Sequence, residues 1–128
     1  MIEVISFINN FKDEELLKKA VREVIKGEGS LSVSIAVVGE KRMRAINRKY
    51  RKKDKATDVL SFSPVSGFPV GEIIICPAKI HKGDLSRTII HGALHLFDYI
   101  HKTGKEEKIM KKKEDYYLKR ISLCQDQK

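Results

Sequence analysis

The segment HGALHLFDYIH, residues 91–101, contains three of the four histidines in a chain of 128 residues. His91 and His95 are four residues apart, so on a helix both imidazoles leave the same face, one turn apart. That spacing lets two ring nitrogens reach one divalent ion, and a turn after the helix can bring His101 back as a third ligand. Three protein ligands are typical of hydrolytic zinc sites, in which a bound water takes the fourth position.

A single pair of histidines four apart is a weak signal, because such pairs also arise by chance in helices where histidine has only a structural role. The third histidine at this spacing favours a metal site over that alternative. His81 has no such companion and is interpreted as an ordinary loop residue. The spacing predicts one divalent ion but does not choose it, since three histidines suit zinc, nickel and copper.

The segment lacks the acid that zinc proteases use. Their long motif reads H-E-x-x-H-x-x-G-x-x-H, with the glutamate as general base after the first histidine. Here Gly92 stands at the glutamate position and Asp98 at the glycine position. Since general acid–base catalysis contributes roughly 10²–10⁴-fold to a rate, a metalloprotease is the least favoured hydrolase class.

The second informative feature of the sequence is a concentration of positive charge that precedes the histidine segment. Residues 41–55, the basic segment, contain nine Lys and Arg and one acid, Asp54, and so carry +8 of the formal net charge of +9. Such a block is the pattern expected for a partner with a phosphate backbone. The alternative is a solvated helix face followed by a charged loop, and the charge alone leaves both interpretations open.

Composition and periodicity bound the fold class. The length predicts one domain over residues 1–128, and 41% hydrophobic residues exclude a disordered or fibrous chain. No apolar run approaches the ~20 residues needed to span a bilayer, and the first residues do not resemble a signal peptide, so we expect a cytoplasmic protein with no membrane partner. Cys76 and Cys124 form no CxxC pair, which argues against a disulfide framework or a cysteine zinc site.

Hydrophobic periodicity predicts strands over residues 1–8, 31–38, 57–62 and 70–76. It predicts four helices, the first capped by Asn10, the second over residues 39–50, the third capped by Asp84 or Ser86, and the last over residues 105–122. Strands and helices that follow one another without strict alternation indicate an α+β fold, with a mixed sheet of about four strands and the histidine helix in the C-terminal third.

Several motifs occur in order along the chain: Tyr50-Arg51-x-x-Asp54-x-x-Thr57-Asp58-Val59-Leu60-Ser61-Phe62, then Gly71-Glu72-Ile73, then His91-Gly92-x-Leu94-His95-Leu96 with His101, and finally Met110 and Glu114. Together they resemble the YbeY family of metal-dependent single-strand endoribonucleases, which act in bacterial ribosomal RNA maturation and ribosome quality control. The resemblance implies a zincin-like fold and zinc bound by His91, His95 and His101. It also implies that Arg51 is the family's functional arginine and that His91 is tied to activity.

The leading hypothesis is therefore a zinc-assisted endoribonuclease acting on single-stranded RNA, with ribosomal RNA and small-subunit ribosomal proteins as the expected partners. Arg51 would hold the phosphodiester through its forked donors, while Arg48, Lys52 and Lys53 would bind neighbouring backbone phosphates. The second hypothesis is an RNA- or ribosome-associated binding protein with a structural or vestigial metal.

Two positions depart from the family pattern. Asp98 replaces a glycine, although Asp tolerates left-handed backbone better than most residues, and Ile100 replaces an aspartate that could support the metal or the reaction. Asp58 and Glu72 are carboxylates on predicted strands, where either can orient a ligand histidine or serve only as a cap or an edge residue.

Overall fold

The computed structural model describes residues 1–65 and 69–126, with side chains as far as Ser122. The elements follow in the order β1 (Ile2–Ser6), α1 (Glu14–Glu28), β2 (Ser32–Val37), α2 (Glu40–Arg51), β3 (Val59–Phe62), β4 (Val70–Ile75), a short 3-10 turn (Pro77–Lys79), α3 (Leu85–His95) and α4 (Gly104–Asp126).

The four strands form one mixed sheet in the order β1-β2-β4-β3. β1, β2 and β4 are parallel, and β3 pairs antiparallel with β4 at the edge. Because successive side chains of a strand point to opposite faces, Ile73 and Ile75 enter one core while Ile74 and its cross-strand partner Leu60 enter another.

The larger core lies between the sheet and the helices α1, α3 and α4, which also pack against one another. Leu17, Ile35, Ile89 and Leu94 are fully buried there. The smaller core lies beneath α2 on the other face of the sheet, around Met43. The sheet edge β3 is in contact with α3, and its Ser61 and Phe62 contact Arg51 and Tyr50 at the C-terminal end of α2. The histidine helix and the basic segment therefore meet at this edge.

The predicted α+β class and the mixed sheet of four strands are confirmed. The predicted start of the first helix at Asn10 is wrong. Asn10 has a φ of 61° in the preceding turn, a left-handed conformation that Asn adopts more easily than most residues, and α1 begins at Glu14 after Asp13. Within the part of the chain that the structure describes, no helix is long and apolar enough to cross a membrane.

Candidate metal centre

The three histidines of the segment converge. α3 ends at His95, so His91 and His95 share its last turn, and their Nε2 atoms are 3.0 Å apart. The His101 ring lies 5.0 Å from that of His91 and 5.2 Å from that of His95, measured between centroids. One candidate ligand atom from each residue lies within 4.8 Å of the others, so the group can hold a metal ion.

The chain reverses after α3 through a left-handed residue. Asp98 has a φ of 68°, and its amide donates to the His95 carbonyl at 3.2 Å, while the Tyr99 amide donates to the Leu94 carbonyl at 3.3 Å. These two bonds are the pattern of the Schellman motif, which usually has glycine at this position. Asp98 therefore replaces the family glycine without abolishing the turn that returns His101.

Glu114 of α4 holds the first histidine from behind. Its Oε2 lies 2.6 Å from Nδ1 of His91, and its Oε1 accepts a hydrogen bond from Arg87 at 2.8 Å. Burial raises the pKa of this carboxyl, but the hydrogen bonds from His91 and Arg87 outweigh burial and hold the pKa below its ordinary value. A carboxylate that accepts the Nδ1 proton leaves the Nε2 lone pair free to face a metal.

Sequence reasoning missed this role of Glu114 and assigned it only a place in the last helix of the family. The signal for it is an acid on the apolar face of α4, where Met110, Glu114, Tyr117 and Ile121 recur at helical spacing and are all buried. An acid in that row needs a partner, because a buried charge is costly without one. Ile109, the neighbour of Met110 in the sequence, lies off this face and is 44% exposed.

The second histidine is electrically neutral near pH 7. Burial, together with the neighbouring His91 and His101 rings, lowers the pKa of His95 to about 4. A neutral imidazole keeps a ring lone pair, which is the form that binds metal ions.

The histidines open into a cavity of about 430 Å³ whose wall is completed by Arg51, Asp58 and the first three residues of β3. Arg51 is the last residue of α2, and its Nη2 donates to the Ser61 carbonyl at 2.7 Å. Its guanidinium also lies 4.7 Å from the centroid of the Phe62 ring. Packing thus brings the predicted functional arginine to the same cavity as histidines 40 to 50 positions away in the sequence.

The other predicted RNA-binding residues lie outside this cavity wall. Arg48, Lys52 and Lys53 are exposed at the end of α2 and in the loop that follows it. Asp54 neutralises part of the basic segment, since it accepts two hydrogen bonds from Arg44, at 2.8 and 3.0 Å, and lies 3.9 Å from Arg48.

The two strand carboxylates differ in position. Asp58 lines the cavity, and its Oδ1 accepts a hydrogen bond from the Val59 amide at 2.7 Å, so it caps the start of β3. Glu72 instead lines a separate hollow beside Tyr50 and Phe62. Of these two carboxylates, only that of Asp58 lies where it can act on the histidine site.

Gly92 is required for the close approach of α3 to the sheet. A Cβ at this position would lie 2.9 Å from Val59 Cγ2 and 3.2 Å from Ile73 Cγ2 and Ser61 Oγ. The Gly92 carbonyl also accepts a hydrogen bond from the Ser61 hydroxyl at 2.7 Å. A glutamate at this position would collide with β3 and β4, so the chain cannot place the general base of a zinc protease there.

Comparison with known proteins finds relatives that match most of the chain. The family model for Endoribonuclease YbeY matches residues 3–122. Endoribonuclease YbeY of Chlorobium luteolum is 37% identical over 122 residues, which are 85% of this chain and 89% of the relative. Endoribonuclease YbeY of Thermodesulfovibrio yellowstonii is 34% identical over 120 residues, or 82% of this chain and 73% of the relative.

A solved structure is also similar. The solution structure of TM1509 from Thermotoga maritima covers 94% of this chain and 89% of its own, with 29% sequence identity and a TM-score of 0.65. The fold and the sequence matches together define a nuclease, which is a hydrolase. The chain belongs to the YbeY endoribonuclease family.

Proposed function

We propose that this enzyme is a zinc-dependent endoribonuclease that cleaves single-stranded RNA, with ribosomal RNA in maturation and ribosome quality control as its substrate. The observation that carries the proposal is the convergence of three imidazoles and one arginine on a single cavity. The family membership supports the substrate class. Ribosomal RNA as substrate and small-subunit ribosomal proteins as partners follow from the family resemblance, and we propose the cytoplasm as the site of action.

The residues present fit a zinc ion. His91, His95 and His101 offer three nitrogen ligands within reach of one another, and Glu114 fixes the proton of His91 on the nitrogen that faces away from the cavity. When bound, zinc supplies a Lewis acid that polarises a phosphoryl oxygen or lowers the pKa of a water. His91 is in this proposal essential to activity because it is both a ligand and the residue that Glu114 orients.

Arg51 binds the phosphodiester. A guanidinium has five N–H donors in a rigid fork, of which one is used on the Ser61 carbonyl. That bond and the contact with the Phe62 ring hold the side chain at the cavity wall before substrate arrives, so little freedom is lost on binding. The remaining donors match two phosphate oxygens, whose negative charge they stabilise as the bond breaks.

Asp58 takes the proton that the missing glutamate would take in a protease. Its carboxylate lies at the cavity wall and is fixed there by the Val59 amide. A carboxylate so placed can accept a proton from the attacking nucleophile.

The exposed cations beside Arg51 guide the RNA. Arg48, Lys52 and Lys53 surround the end of α2, from which Arg51 reaches the cavity. A single strand whose scissile phosphate lies on Arg51 would place its neighbouring phosphates near these side chains, and each contact would release counterions.

The proposal is tested by incubating zinc-loaded protein with end-labelled single-stranded RNA, with a duplex of the same sequence, and with the His91→Ala variant beside it. We expect cleavage of the single strand by the wild type, loss of cleavage after chelation, and recovery when zinc is added back. Cleavage by His91→Ala at the wild-type rate would show that a contaminant, or a site elsewhere on the chain, does the cutting.

One observation keeps the binding-protein hypothesis as an outcome of this test. Ile100, 47% exposed, stands where the family pattern has an aspartate next to the third histidine. If the wild type binds the RNA but cuts no faster than His91→Ala, the site is vestigial and binding is the function. In that case an Ile100→Asp variant that cuts the same RNA would identify the lost carboxylate as the cause.

A further inference from the structure

A partly buried carboxylate is hydrogen-bonded to the turn that follows α3. Glu28, the last residue of α1, has a side chain only 9% exposed. Its Oε1 accepts a hydrogen bond from the Tyr99 hydroxyl at 2.7 Å, and its Oε2 accepts hydrogen bonds from Lys113 at 3.0 Å and from the Tyr117 hydroxyl. This Glu28 cluster joins α1, α4 and the turn after α3.

The Glu28 carboxylate is ionised, and its hydrogen-bond donors hold it firmly. Burial raises the pKa of Glu28, but the hydrogen bonds from Tyr117, Tyr99 and Lys113 outweigh burial and hold the pKa below its ordinary value. The hydrogen bond to Glu28 raises the pKa of Lys113. Hydrogen bonds to a charged acceptor are roughly twice as strong as neutral ones, so each donor is held firmly in place.

The sequence before Glu28 makes room for the cluster. A Cβ on Gly27 would overlap the Tyr117 hydroxyl, so only glycine at this position lets that hydroxyl reach the carboxylate. The apolar face of α4 alone does not require such an arrangement, because burial of the Tyr117 ring does not need its hydroxyl to meet a charge.

Tyr99 is the member of the cluster that bears on the histidines. It follows the left-handed Asp98 and precedes His101 by two residues. On the other side of His101, the Thr103 hydroxyl accepts from the Glu106 amide at 3.1 Å and the Glu106 carboxylate accepts from the Thr103 amide at 2.9 Å, a capping box that begins α4. His101, itself exposed, therefore lies between two anchored residues.

We propose that the Glu28 cluster positions the third metal ligand: the hydrogen bond from Tyr99 to Glu28 holds the turn so that His101 meets His91 and His95. The inference rests on the proposed metal site. Glu28 and Tyr99 are positioning residues, which touch neither metal nor RNA. Partners that hydrogen-bond directly to a metal ligand change metal affinity by about 10–100-fold when they are removed, and the lower end of that range is the scale expected for Tyr99, which acts through the turn.

The test compares two variants that remove equivalent groups. Tyr99→Phe and Tyr117→Phe each delete one hydroxyl from the same carboxylate, but only Tyr99 lies on the turn that carries His101. Zinc affinity is measured at pH 7 by competition with a chromophoric chelator, ligand geometry by the visible spectrum of the cobalt-substituted protein, and stability by thermal unfolding of the metal-free protein.

We expect Tyr99→Phe to weaken zinc binding by about tenfold or more and to change the cobalt spectrum. Tyr117→Phe is expected to lower the melting temperature at least as much, while its zinc affinity and cobalt spectrum stay as in the wild type. If the two variants change affinity equally, or if neither does, the cluster only stabilises the packing of α1 against α4 and the inference is wrong.

A double-mutant cycle separates this inference from the metal site on which it rests. In a His101→Ala background, Tyr99→Phe should cost no further zinc affinity, because the ligand that it positions is gone. An equal cost in both backgrounds would show that Tyr99 acts on the site by another route. If His101→Ala alone leaves zinc affinity unchanged, His101 is not a ligand and the proposed metal site itself is wrong.

Discussion

The histidine turn is held by one buried and one partly buried carboxylate, whereas the charged side chains of the basic segment, at the other side of the cavity, are exposed. Glu114 is 8% exposed and Glu28 has a side chain 9% exposed, and each receives two or more hydrogen bonds. Arg48 has a side chain 67% exposed, and its nearest acid, Asp54, lies 3.9 Å away. The histidine turn has a fixed geometry, whereas the basic segment presents positive charge to the solvent.

The difference follows from what each region must do. A metal ion requires ligand atoms at nearly fixed distances, so the residues that aim them must themselves be fixed. A phosphate backbone responds to a summed field that extends over about 8–10 Å at ordinary ionic strength, which flexible exposed side chains supply. Arg51 belongs to both regions, since it comes from the basic segment but is held at the cavity by Ser61 and Phe62.

The largest effect is expected when the histidine turn loses a metal ligand. His91→Ala removes one ring nitrogen and leaves Oε2 of the buried Glu114 unpartnered, with only Arg87 still bonded to this carboxylate, so the protein should lose its zinc and also some stability. Elemental analysis and thermal unfolding measure the two. The control is His81→Ala, an exposed histidine on a distant loop, which should keep one zinc per chain. Full zinc content in His91→Ala would contradict the site.

Arg51→Ala is expected to slow RNA cleavage by roughly 10²–10³-fold with normal zinc content, because the guanidinium acts on the phosphate and not on the ion. Arg51→Lys should restore part of the rate, since a point charge cannot make the fork. The matched control is Arg42→Ala, which removes another arginine of the basic segment that also stacks on a phenylalanine, Phe7. Equal rates for both alanine variants would make Arg51 an ordinary surface cation.

A smaller effect is expected from the charge of the exposed region. Reversal of Arg48, Lys52 and Lys53 to Glu should weaken binding to single-stranded RNA and lower the slope of affinity against salt by about 0.7 per lost phosphate contact. A variant with Lys105, Lys108 and Lys112 of α4 reversed has the same net charge and exposed positions, and so serves as the control. If both triple variants lose the same slope, net charge alone binds the RNA.

The smallest effect is expected from the dependence of stability on pH, and it should come from the histidine site. The pKa of His95 falls from 6.5 to about 4 on folding, so the unfolded chain binds more protons between these values. The free energy of unfolding of the metal-free protein should therefore decrease as the pH is lowered from about 6.5 to about 4. Chemical denaturation across this range measures the slope, and His95→Gln should flatten it. An unchanged slope in that variant would assign the effect to other groups.

Local spacing determined much of this protein before any tertiary structure was considered. The four-residue interval between His91 and His95 places both rings on one helix face, and Asp98 tolerates the left-handed backbone that the turn requires. Short runs of apolar and β-branched residues predicted the four strands, and the concentration of charge in residues 41–55 is a property of the sequence alone. These features depend on neighbours within about one or two turns of chain.

Only the tertiary structure decided which distant residues complete the site. Glu114 meets His91 across 23 positions and Glu28 meets Tyr99 across 71, because α1, α3 and α4 pack together over one face of the sheet. The collision that reserves position 92 for glycine likewise involves β3 and β4. A cluster of charge or a helical spacing depends only on residues that are close together in the sequence. The partner of a buried polar group comes from the element that packs against it, and therefore depends on the complete fold.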